Sequence, residues 1–250
     1  MSRPAPLAGA VAAQTLVELR LTARRSENLL AMVVIPAAVF AFFASVDLLP
    51  VVAGETRSAS LLPGTLALAI IATGLVNLGI ATAYERDYGV LKRLGGSPLG
   101  RLGLVLAKVG AVLIVELVLV VLLIVVAAAA FGWRPGEPAS LLAFLAVVGL
   151  GTGAFAGLGL AMAGALRAEA TLTLANVVFV ACILLGGTVV PTGALPDPLV
   201  AVVSVLPAAA LTEALRAALG GGGDIALPLA ILGVWCAGAL GVAARTFRWD

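Results

Sequence analysis

Six long apolar runs separated by short polar stretches set the pattern of this chain: 29–46, 61–83, 109–131, 139–166, 170–190 and 225–244. Glu116 is the one charged residue inside them. Each run reaches the roughly 18 to 20 residues that a helix needs to cross hydrocarbon, and a helix satisfies its backbone groups internally where no water is present. The pattern therefore predicts an all-α membrane protein with six transmembrane helices, the whole of 1–250 forming a single transmembrane domain.

Two further elements lie outside the six runs. Between Gly9 and Asn28, Leu16, Leu19 and Ala23 share one side while Glu18, Arg24, Arg25 and Glu27 lie mostly elsewhere. That stripe predicts an N-terminal interfacial helix over 9–28. After the fifth run, Pro191, Pro196 and Pro198 break the apolar stretch, and an uncharged piece from Pro198 to Thr212 follows. Pro207 interrupts that piece, and Glu213 and Arg216 end it, so it is too short for a seventh crossing. A re-entrant hairpin between spans 5 and 6, over 191–219 with a hinge at Gly220 to Gly223, fits better. Such irregular backbone at membrane depth must be covered by protein or line a wet cavity.

Composition sharpens this picture by exclusion. Of 250 residues, 62% are hydrophobic and only 11% charged, where a soluble domain would be near a quarter charged. A soluble enzyme, a disordered chain and a nucleic-acid binder are all ruled out. No histidine is present, which removes imidazole haem ligation and Ser-His proteolysis within the membrane. Cys182 and Cys236 each sit inside an apolar run as small core side chains, and no metal site is expected. The chain carries no G-x-x-x-x-G-K-[ST], so it binds no nucleotide in the P-loop manner, and no cofactor is expected in it.

Charge placement fixes the orientation. Arg3, Arg20, Arg24, Arg25, Arg86, Lys92, Arg93, Arg101, Lys108, Arg167, Arg245 and Arg248 fall on one side, and only Arg57, Arg134 and Arg216 on the other. The excess of Lys and Arg marks the cytoplasmic side, so both termini are expected inside a multi-pass membrane protein. The lead before the first run is too long for a cleaved signal peptide, and that run is expected to be retained.

The loop between spans 2 and 3 predicts a short charged helix from Tyr84 to Leu94, stopped by Gly95, Gly96 and Pro98. It holds no nucleophile and base, so docking to another protein suits it better than catalysis. Glu85 and Arg86 open it as charges able to pair across an interface, Gly89 leaves room for close approach, Lys92 and Arg93 add charge, and Leu91 and Leu94 share a face able to enter a cleft. Deeper in the membrane, Glu116 and Asn77 each lie seven residues from the inner end of their runs. Adjacent antiparallel helices would place both about 10 Å deep, within reach of a hydrogen bond. Gly149, Gly153 and Gly157 give two G-x-x-x-G spacings, expected to seat another helix of the same subunit.

The run Glu85-Arg86-x-x-Gly89-x-Leu91-x-x-Leu94-x-x-Ser97-Pro98 resembles the signature between the second and third spans of ABC type-2 permeases, the membrane subunits of daunorubicin-resistance-like exporters. Gly187-x-x-x-Pro191-x-x-x-Leu195-Pro196, with Pro207 and Glu213-x-x-Arg216 after it, resembles the outer re-entrant hairpin of the same family. One departure is Leu206, where the family often has Asn before the second proline.

The resemblance implies a permease subunit that lacks a nucleotide site and moves a hydrophobic or amphiphilic substrate, drug, lipid or glycan-like, out of the cytoplasm. It further implies a homodimer in the bacterial inner membrane, among membrane lipid, driven by two copies of a separate ABC ATPase that bind ATP and Mg. The 84–94 helix would be the ATPase-coupling element. The alternative is a proton-coupled secondary transporter using Glu116, which would predict further membrane-embedded ionisable groups or inverted repeats.

Overall fold

The computed structural model describes residues 7–24, 26–49, 51, 54–94, 99–187 and 197–246, with the backbone alone for 26–31 and 197–199. Of these residues 84% are helical, and no strand occurs among them. In order, the helices are α1 (Leu7–Arg24), α2 (Ser26–Ser45), α3 (Arg57–Ile71), a π turn (Ala72–Asn77), α4 (Leu78–Asp87), α5 (Val90–Leu94), α6 (Gly100–Phe131), α7 (Leu141–Ala165), α8 (Ala168–Leu185), α9 (Asp197–Val203), α10 (Pro207–Ala218) and α11 (Ala226–Thr246).

Five helical segments are long and apolar enough to cross a membrane: Arg57–Asp87, Gly100–Phe131, Leu141–Ala165, Ala168–Leu185 and Ala226–Thr246. α2 supplies a shorter apolar stretch, Met32–Ser45. The protein is an all-α membrane protein.

Local sequence explains where these helices start and stop. Thr56 caps α3 by accepting from the Ala59 N–H, and Ser140 caps α7 by accepting from Ala143, as expected of residues whose side-chain oxygen replaces a missing backbone partner. Pro207 takes the first position of α10, where its lack of an N–H costs nothing. Asp224 accepts from the Ala226 N–H at the start of α11.

Gly136 and Gly220 meet so closely that a Cβ on Gly136 would lie 2.3 Å from the Gly220 carbonyl oxygen. With the Gly136 N–H donating to Leu219 and the Ser140 N–H to Ala218, the 132–140 loop is stitched to the end of α10. The α10–α11 turn needs glycine, since Gly220, Gly222 and Gly223 all have positive φ.

α7 occupies the middle of the bundle, and its most extensive packing is with α11. A Cβ on Gly157 would approach the Ala239 Cβ to 2.8 Å, and one on Gly153 would run into Cys236 Sγ. The glycine spacing thus seats a helix of the same subunit. Gly149, by contrast, faces open space. On another side Gly74 and Gly79 press against Ala156 and Gly159, which brings the π turn and α4 onto α7. α1 lies along the first half of α6, where the Thr15 hydroxyl reaches the Ala107 carbonyl at 3.2 Å.

Candidate functional site

The two ends of the bundle differ in charge. One carries the end of α4, all of α5, the start of α6 and the α7–α8 turn, with Arg86, Lys92, Arg93, Arg101, Lys108 and Arg167, and we call it the basic end. Here α4 runs without a break through Asp87, and the chain turns only at Tyr88 and Gly89, where φ reaches +71°. The expected helix from Tyr84 to Leu94 is therefore two pieces. Glu85 and Arg86 extend the second span, and only Val90–Leu94 forms a separate turn of helix. The cause is Gly89, which adopts the left-handed conformation that ends a helix at little steric cost.

The two halves also face different ways. Glu85 Oε2 accepts from Lys108 Nζ at 2.7 Å, and the same ammonium lies 3.1 Å from Glu18 Oε1 on α1. Only 1% of the Lys108 side chain is exposed, against 13% for Glu18 and 19% for Glu85. One buried cation thus ties α1, α4 and α6 together, as a buried charge requires if it is to remain charged. Arg86 turns the other way and donates to the Ala163 carbonyl at 2.6 Å and to the Leu166 carbonyl, closing off the end of α7. Glu85 and Arg86 are committed inside the subunit.

Beyond Gly89, Leu91 is buried with Leu99, Leu104 and Leu160, and Leu94 packs partly against the same cluster. Leu91 is thus a core side chain, which corrects the expectation that it enters a partner's cleft. The exposed residues of this segment are Asp87, Tyr88, Val90, Lys92 and Arg93, with Tyr88 74% exposed. A Cβ on Gly89 would meet nothing within 4 Å.

Glu116 is buried, 1% exposed, and its Oε2 accepts from the Thr152 hydroxyl of α7, while its Oε1 has no hydrogen-bond partner among the described residues. The expected partner, Asn77, is elsewhere. Asn77 lines a cavity with Lys108, Ala111 and Val115 of α6. Successive residues of a helix turn by about 100°, so Glu116 faces α7 while its neighbour Val115 faces Asn77. Asn77 is also the last residue of the π turn, and such a bulge shifts every later side chain around the axis. Thr152 had a signal in the sequence, being the one strongly hydrogen-bonding side chain between Leu141 and Ala165.

At the opposite end, α9 and α10 form the described part of the expected hairpin. Pro191 and Pro196 lie outside the described residues; Gly187, with φ of +66°, ends the α8 turn. Pro207 opens α10, most of whose residues are buried against α3, α7 and α11. Arg216 reaches Glu55 Oε2 at 3.1 Å and the Ser60 carbonyl at 3.4 Å, anchoring α10 to the start of α3, and Glu213 lies one turn earlier, half-buried. Trp235 of α11 donates to the Val205 carbonyl in the α9–α10 turn at 3.0 Å.

The family model described as ABC-2 type transporter matches residues 11–219, from α1 through α10. The chain belongs to the ABC-2 type transporter family. It is accordingly a permease component of such a transporter, a multi-pass membrane protein whose family implies an ABC ATPase partner. No curated protein matches it.

Within this permease the matched region contains the Lys108 ion-pair cluster, the Gly89 turn and α9–α10. Of these the Lys108 cluster was the one not foreseen. Lys108 reads as a loop cation because the apolar run starts at Val109, yet α6 begins at Gly100 and carries it one side chain into the interior.

Proposed function

We propose that the permease is the membrane half of an exporter that moves a hydrophobic or amphiphilic substrate, drug, lipid or glycan-like, out of the cytoplasm. Two copies enclose the path, and two copies of a separate ATPase, binding ATP and Mg, drive it from the basic end. That end faces the cytoplasm of a bacterial inner membrane, with both termini inside.

The observation that carries this reading is the construction of the basic end. Around Gly89 a short segment forms a knob whose Tyr88, Val90, Lys92 and Arg93 are exposed, and the residues just before it are held to the spans by one buried ion-pair cluster and two backbone hydrogen bonds. The knob is where an ATPase docks, through Tyr88, Val90, Lys92 and Arg93. Glu85 and Arg86 pass the movement on and do not touch the partner. Glu116 holds α6 to α7 through Thr152, which supports a structural role for it over that of a proton carrier.

The test is ATP-driven export into inverted vesicles together with copurification of the ATPase. Tyr88→Ala with Arg93→Ala should leave a folded permease that has lost both export and its ATPase. Export by the purified permease alone, driven by a proton gradient and indifferent to these changes, would overturn the proposal.

A further inference from the structure

The cluster around Lys108 borders a cavity of about 110 Å³ between α1, the π turn, α4 and α6. Its polar wall is formed by Glu18, Glu85, Lys108, Asn77 and Thr73. Thr22, Met32 and Val115 line both this cavity and a second one of about 300 Å³, so the two adjoin at these side chains, the throat between them. The second cavity is almost wholly apolar, with Leu19, Ala23, Ile114 and Val118 along it. A polar chamber thus borders a hydrocarbon-like groove. Ligand sites in proteins occupy roughly 300 to 1,000 Å³ and combine a mostly apolar lining with a few converging polar groups.

Charge decides which head group suits the chamber. Among the described residues, the charged groups lining it are the two carboxylates and the one ammonium, one negative charge in excess. Lys108 donates to Glu18 Oε2 and Glu85 Oε2 at 3.2 and 2.7 Å and lies 3.1 Å from Glu18 Oε1. Glu85 Oε1 and the Asn77 side-chain amide take no hydrogen bond among the described residues. What the chamber offers a newcomer is therefore net negative charge and a carboxylate acceptor, beside an exposed Asn77 amide that can accept as well as donate.

We propose that these joined cavities bind an amphiphilic organic cation, its ammonium head against Glu85 and Asn77 and its apolar body in the groove past Val115. The site takes its ligand from the membrane at the basic end and presents it beside α4, the helix that Gly89 links to the exposed knob. That the ligand is the exported substrate rests on the function proposed above; the binding site itself does not.

The test uses the purified permease in phosphatidylcholine nanodiscs with two fluorescent probes, dansyl-labelled dodecylammonium and dansyl-labelled dodecanoate. The ammonium probe should bind saturably and about tenfold more tightly than the carboxylate, the ratio that one charge-assisted hydrogen bond supplies. Val115→Trp, which fills the throat without changing a charge, should abolish saturable binding. Glu85→Gln should level the preference between the probes; where that variant fails to fold, Thr22→Trp provides a second block of the throat.

Equal binding of both probes, or binding indifferent to Val115→Trp, overturns the site. Phosphatidylethanolamine at membrane proportions displacing the probe would make a membrane aminolipid the occupant and overturn the assignment to a transported cation. The export proposal fails separately: cation binding with no ATP-driven export leaves the site standing, whereas ATP-driven export with no cation preference removes the site alone.

Discussion

Replacing Lys108 by Met tests whether the buried ion pairs hold the basic end together. Met fills nearly the same volume and carries no charge, so the substitution isolates the loss of the cation. Two carboxylates that share an ammonium at 2.7 and 3.1 Å lie at most about 6 Å apart, and at an effective dielectric of about 20 their bare repulsion is about 3 kcal/mol. Removing one partner of a buried pair commonly costs about 3 to 5 kcal/mol. Both carboxylates keep some exposure, 13% and 19%, so solvent screening favours the lower end, about 3 kcal/mol. For a chain of this size each kcal/mol moves the melting temperature by about 2 to 4 °C, which predicts a fall of roughly 6 to 12 °C.

The assay is thermal unfolding of detergent-solubilised permease followed by size exclusion. Adding Glu18→Gln and Glu85→Gln to Lys108→Met should recover most of the loss, because buried ion pairs replaced as a set by neutral groups are often energetically neutral. As a control, Asp47→Asn should leave the melting point unchanged, since Asp47, the partner of Arg57, is 90% exposed. A Lys108→Met protein that melts with the parent, or a triple variant no better than the single one, would refute the reasoning.

Three further predictions use the same melting assay. Gly157→Leu should lower stability by about 1 to 3 kcal/mol by forcing Ala239 and α11 away from α7, while Gly149→Leu, on the same helix at the same spacing but facing open space, should cost nothing measurable. The Thr152 hydroxyl has one proton and two oxygens in reach, Glu116 Oε2 and the Val148 carbonyl at 2.8 Å, so Glu116→Gln, whose amide can donate, should be tolerated, and Glu116→Leu should lower yield and melting temperature. Arg86→Met should lose about 1.5 to 3 kcal/mol by leaving the Ala163 and Leu166 carbonyls without their charged donor.

Hydropathy located the helices because burial in hydrocarbon demands nearly continuous apolar sequence. It misplaced their ends, because a helix does not stop where the apolar run stops: α4 carries on through Glu85 and Arg86, and α6 begins well before Val109. That error hid Lys108, whose burial depends on Glu18 and Glu85 arriving from two other helices. Rotation of Asn77 about the helix axis was not legible, since the π turn and the packing of Gly74 and Gly79 against α7 set it. Pro207 and the Glu213 to Arg216 spacing marked α10, whereas its burial against α3 follows from Glu55, which nothing near it in sequence announces.

Glu85 and Arg86 are consecutive, so their side chains leave α4 about 100° apart. One is bound to α1 and α6 through Lys108, the other to the α7–α8 turn through two carbonyls. The end of α4 is therefore braced on two flanks, and it cannot tilt without loading both. Just past this brace stands Gly89, in a left-handed conformation with open space around it, so α5 follows a joint and is held to the body by the buried Leu91 and, in part, by Leu94. A push on α5 accordingly has two routes into the spans. Through Leu91 it reaches Leu104 of α6 and Leu160 of α7; through the joint it reaches the brace, and from there α1, α6 and the α7–α8 turn. α6 and α7 lie on both routes and are themselves locked together deeper in the membrane by Glu116 and Thr152. A push at the basic end would load α6 and α7 together, and α1 with them, since Glu18 is held to Lys108 and Thr15 to Ala107.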